Sequence, residues 1–144
     1  MVFKRFEDME VWQAGRKLVK DIYSLTRNEG FLSDRGLKDQ IQRAAVSICS
    51  NLAEGYARRG NRELVKYLWI AKGSASEVQS QIYHALDLGY VSELSFNALY
   101  DDLDAIQSRI YRLIQFLSQD ISRQKVNHNL QTSTLNSQLS THNP

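Results

Sequence analysis

Apolar residues return at intervals of three and four in four successive stretches of this chain, a period that one face of an α-helix produces and a β-strand does not. The first stretch runs from Asp8 to about Arg27 through Val11, Ala14, Gly15, Leu18, Val19, Ile22 and Leu25. The segment 28–36, NEGFLSDRG, breaks the period with two glycines and offers Ser33 or Asp34 as an N-cap. A second helix is then expected from about Arg35 to Arg58, interrupted by Gly60 and Asn61, with Asn61 able to cap the third. The third reaches about Leu88 through Leu64, Leu68, Ala71, Ala75, Val78, Ile82 and Leu86, and Gly89 is its stop signal. Ser92 opens a fourth helix that holds Leu99, Leu103, Ile106, Ile110, Leu113, Ile114 and Leu117 in register to about residue 119. Links this short force consecutive helices to run antiparallel, so the sequence specifies an all-α, up-down-up-down four-helix bundle. One proline and seven glycines in 144 residues are too few for the turns of a sandwich or barrel.

The bundle is expected to occupy residues 1–123. From residue 124 the chain turns to Asn, Gln, Ser and Thr with isolated leucines, a composition that buries too little apolar area to offset its ordering entropy. Residues 124–144 therefore read as a polar tail, disordered or loosely attached, with a short helix around 129–139 as the alternative. No window holds the roughly 18 apolar residues a membrane span needs, and acidic residues near the N-terminus stand where a signal peptide needs its apolar stretch. The expectation is a cytoplasmic protein. The single cysteine, Cys49, has no disulfide partner and reads as a small packed residue.

Charge is unevenly placed. Residues 1–76 carry 14 Lys and Arg against 9 Asp and Glu, a net +5, whereas residues 77–120 carry 2 against 7, a net −5. A molecule split in this way suits head-to-tail self-association, contact with a polyanion, or both.

The second helix carries more than a core stripe. Leu37, Ile41, Ala44, Ile48 and Leu52 share one arc, and beside it Gln40, Arg43, Ser47, Asn51 and Glu54 form a polar strip. Away from that strip lie Val46, Cys49 and Ala53, small and apolar where a solvated helix would carry Lys or Glu. These three fit a subunit interface, or else mark the second helix as the most central of the monomer. The strip fits a ligand or partner surface, or a hydrogen-bond network that orients helices. Arg43 and Glu54 lie three turns apart, too far to pair along one helix.

At the corner between the second and third helices, Arg58, Arg59, Arg62 and Lys66 gather around Tyr56 and Tyr67, and cations interleaved with aromatics suit phosphate and base contacts. A solvated loop is the alternative. Lys4, Arg5, Arg16, Lys17 and Lys20 extend this basic surface if the first helix lies on the same side. Catalysis finds no support: His84, His128 and His142 are scattered, the acidic run Asp101, Asp102, Asp104 reads as a solvated face, and neither an ExxH metal spacing nor a phosphate-binding glycine motif is present. No catalytic residue, metal site or cofactor is expected.

Three segments carry a family resemblance. The string GLKDQIQRAAVSICSNLAEG at 36–55 closely resembles the signature of the bacterial 23S rRNA intervening sequence proteins. FEDMEVWQAGRKLVKDIY at 6–23 is similar to the family's opening helix, and YLWIAKGSASEVQSQI at 67–82 to its third, while Phe31-Leu32 departs from the family's Phe-Pro. The resemblance covers about residues 3–120. It implies a small cytoplasmic bundle that assembles as a homopentamer and has a nucleic-acid role, with RNA or a ribonucleoprotein as the leading partner. The related accessory protein of diversity-generating retroelements adds a second implied partner, a reverse transcriptase. On that implication the chain is a non-enzymatic RNA-binding oligomer or, alternatively, a scaffold for a partner enzyme.

Overall fold

A computed structural model describes residues 3–140. Five α-helices follow a short 3-10 turn at Phe6–Asp8: α1 (Glu10–Leu25), α2 (Glu29–Ser33), α3 (Arg35–Ala57), α4 (Asn61–Asp87) and α5 (Glu93–Ser140). The four long helices are the four expected. They form a square in which α3 packs between α1 and α4, and α5 closes the ring between α4 and α1. Hydrogen bonds mark the antiparallel register between α4 and α5: Ser76 meets Gln107, Gln79 meets Asp104, and Asn61 meets Asp120. The periodic residues turn inward, and Leu18, Ile22, Ile41, Ile48, Leu52, Leu64, Leu68, Ile82, Leu103 and Ile106 are wholly buried. Each such aliphatic side chain contributes about 1.5–3 kcal/mol on removal from water.

Local signals set the helix ends. Asp34 caps α3, its Oδ1 accepting from the Leu37 amide at 3.1 Å. Gly89 adopts φ +75°, and α4 closes with paired bonds from Gly89 N to Leu86 O (3.0 Å) and Tyr90 N to Ala85 O (2.8 Å), a Schellman arrangement that needs a left-handed residue there. Ser92 starts α5, its Oγ accepting from the Ser95 amide at 3.1 Å. At α4 the cap position belongs to Gly60, and Asn61 instead donates through Nδ2 to Asp120 at 2.7 Å.

Two segments differ from the sequence reading. The first link contains the helix α2, because Phe31 is drawn into the core and stacks on Tyr90 at 5.2 Å, sealing that end of the bundle. Residues 124–140 continue α5 as helix rather than losing structure. The bundle anchors the earlier turns of α5, so the nucleation cost is already met and each added residue makes one more backbone bond. Hydroxyls along this extension bond back to the helix, Thr132 Oγ1 to His128 O (3.1 Å) and Thr134 Oγ1 to Leu130 O (2.9 Å). Every described side chain from Ser122 onward is exposed, so the extension stands free of the core.

Candidate nucleic-acid interface

The basic corner and the root of the α5 extension meet at one end of the bundle. Arg59 takes a left-handed φ of +50° ahead of Gly60, which turns the chain from α3 into α4. The Tyr56 hydroxyl donates to the carbonyls of Phe3 (3.2 Å) and Lys4, tying the N-terminal segment across this end. Asp120, gripped by Asn61, also accepts from Gln124 at 3.0 Å, which fixes the root of the extension. Together these elements enclose an open cleft of about 910 Å³ whose lining includes Lys4, Arg59, Arg62, Lys125 and His128, with Glu63 as its one acidic member. Such a surface attracts phosphate through charge alone.

The predicted cations have different fates. Arg59 and Arg62 make no ion pair among the described residues and face the cleft. Arg58 is bound to Glu54, with Nη2 at 2.9 Å, and that hydrogen bond holds its guanidinium above the usual arginine range. Arg58 and Lys66 both lie over the Tyr67 ring, at 5.8 and 6.0 Å from its centre. Lys4 joins the site, whereas Lys17 turns to Asp21 (2.8 Å) and Asp102 (3.5 Å) between α1 and α5. Lys125 and His128 were not among the predicted site residues. Their segment reads as a tail, and only its helical continuation brings them beside Arg59.

The polar strip divides in two. Its centre is structural: the Ser47 and Ser74 hydroxyls share a bond at 2.9 Å, and Asn51 Nδ2 donates to Ser47 O (2.8 Å) and Oγ (2.9 Å), joining α3 to α4. Its upper end is open. Gln40 and Arg43 are exposed, with no side-chain hydrogen bond or ion pair among the described residues, and line a groove of about 560 Å³ with Glu77, Ser80, Gln81 and His84. Gln81 Oε1 is buried there, the one buried side-chain polar atom without a partner among the described residues. Gly73 lies exposed on α4 close by, and a Cβ added to it would touch nothing.

Of the small apolar trio, Cys49 is taken up inside the subunit. Its Sγ lies 3.7 Å from the Trp12 carbonyl and would stand 2.9 Å from a Cβ on Gly15, so the second neighbour of α3 at this point is α1 of the same chain. Burial raises the Cys49 thiol to about 11. Ala53 is half-buried, and Val46 is exposed beside Tyr23 in a shallow hollow between α1 and α3. Across the bundle, α4 and α5 expose Trp69 against Tyr111 at 6.2 Å, and Tyr83, which covers the buried Phe96 and the half-buried Tyr100 at 4.8 and 5.8 Å.

Among the described residues no three His, Cys, Asp or Glu side chains gather as metal ligands, and no helix is long and apolar enough to cross a membrane. Fold and surface together define a helical bundle with a basic end cleft and a half-open polar groove. The chain belongs to the 23S rRNA-intervening sequence protein family, whose model matches residues 7–112. It is similar in fold to a crystal structure from Bacteroides thetaiotaomicron described as a protein of unknown function from the S23 ribosomal protein family. The TM-score is 0.66 at 19% identity, over 73% of this chain and 95% of that one. No curated protein matches the chain. The α5 extension lies beyond the matched region.

Proposed function

We propose that this protein is a non-enzymatic, RNA-binding homo-oligomer whose end cleft takes the phosphate backbone. The convergence of Lys4, Arg59, Arg62, Lys125 and His128 from three separate elements carries this reading, and the family's link to ribosomal RNA supports RNA as the polyanion. Because each neutralised phosphate releases condensed counterions, the affinity for a structured RNA should fall linearly with salt on logarithmic axes. Replacing Arg59 and Arg62 by Ala should weaken binding and flatten that slope by about two, roughly one per lost contact. Filter binding across a salt series measures both. No retention of RNA even at low salt, or a slope indifferent to the double substitution, would overturn the reading.

Self-association is supported by a second observation. The exposed aromatics of α4 and α5 lie beside the acidic run of α5, opposite the α1/α3 face that carries Tyr23, Val46 and several cations. Apolar and charged groups on opposite faces suit a heterologous contact between copies, which closes into a ring when its rotation permits, as in the homopentamer implied by the resemblance. Val46 and Ala53 belong to that interface, and Cys49 supports it from beneath. A role as accessory subunit to a reverse transcriptase or other enzyme is the rival, and partners retained after nuclease treatment would favour it.

A further inference from the structure

The α3/α4 groove holds two groups that the fold leaves unanswered. Among the described residues Arg43 on one wall has no ion-pair partner, and Gln81 Oε1 on the other is removed from water without a hydrogen-bond donor, a state that native interiors rarely leave uncompensated. From this groove the outer face of α4 leads toward the basic corner through Gly73, where the subunit itself has no need of a glycine, and Lys66, which lies over the Tyr67 ring. Arg62 and Gln81 are separated by about 28 Å of helix at about 1.5 Å per residue. We infer that this surface carries a single-stranded nucleic-acid segment leaving the end cleft, and that the groove at Arg43, Glu77 and Gln81 reads a base with an exocyclic amino group, in preference to uracil, at its far end. The inference rests on the RNA reading of the cleft.

The chemistry follows from what each group offers. With the Gln81 side chain turned into the groove, its Oε1 and the Glu77 carboxylate are acceptors, and the exocyclic amino group that adenine, cytosine and guanine carry supplies the donor they lack. Uracil presents carbonyl oxygens in that position and leaves Oε1 unsatisfied. Arg43 meets the adjoining phosphate, and Lys66, over the Tyr67 ring, meets one nearer the corner. The missing Cβ at Gly73 leaves room for the backbone of the strand against the helix.

Fluorescence anisotropy with labelled oligonucleotides of about ten residues, rA, rC and rU, on the full-length protein tests this. The expected result is tighter binding of rA and rC than of rU by about tenfold, a discrimination of the size one good base contact gives. Gln81→Leu should erase the ranking while leaving the salt slope unchanged, and Arg43→Ala should lower affinity for all three and reduce the slope by about one. Circular dichroism of Gln81→Leu should show an undiminished melting temperature, since the substitution removes an unpartnered amide. Equal affinity for the three oligomers, or a ranking that survives Gln81→Leu, overturns the groove inference even when binding is salt-dependent and sensitive to Arg59 and Arg62. Absence of any oligonucleotide binding removes the cleft reading as well. Binding of RNA indifferent to both groove substitutions assigns the groove to another class of partner and overturns the inference too.

Discussion

Gly55 and Gly73 both sit inside long helices and answer to opposite constraints. At Gly55 a Cβ would stand 2.6 Å from the Tyr67 Cβ, so the glycine is what lets α3 and α4 approach at the corner. Gly55→Ala should cost about 1–3 kcal/mol in urea unfolding through overpacking. At Gly73 the same methyl group meets nothing, and Gly73→Ala should stabilise the protein by about 0.5–1 kcal/mol through helix propensity alone. Cys49 offers a check by pH. Its thiol titrates at about 11 when folded, against 9.0 as the ordinary value, so the folded chain holds the proton more tightly. The associated stability is fully present below pH 9 and is lost as pH rises toward 11, on the order of 2 kcal/mol, and Cys49→Ala should flatten that part of the profile. These packing roles were partly legible. Cys49 reads from sequence as a small residue on a second face of α3, but a single helical wheel does not say whether that face meets α1 or another copy.

Among the elements, α5 tests most sharply what composition can tell. The three- and four-residue period located all four long helices, and Asp34, Gly89 and Ser92 act as the caps and stop that their residue types suggest. At the extension a polar sequence reports the absence of a core contact, whereas helix propagation needs only a preceding turn, and α5 continues there as a helix free of the core. The extension should therefore lose its helical signal gradually, below the cooperative transition of the bundle, in a circular dichroism melt at 222 nm. Truncation after Arg123 should leave the main transition within about 0.5 kcal/mol, as surface changes do, while removing that early loss. The truncated protein should also bind RNA less tightly, because Lys125 and His128 leave the cleft. The corner cations were visible in sequence, but the opposite wall of their cleft was not, since it depends on where α5 points after the last core residue.

For the molecule as a whole, the split between a basic first part and an acidic second part predicts that self-association depends on ionic strength. Light scattering should give a multiple of the subunit mass at low salt, with the mass falling as charge is screened. Glu or Lys substitutions at Trp69 and Tyr111 should lower it at any salt by removing the aromatic contact. The position of the cleft at the tip of the bundle, not along its flank, then has a geometric outcome. In the proposed ring, rotation about its axis carries every copy of a feature to the same height, so all the clefts would fall on one circle with the α5 arms beside them. A transcript docked on one subunit of that ring would meet the next site at a high effective concentration. Modest contacts at each tip would then combine into strong avidity for long RNA and weak retention of short fragments.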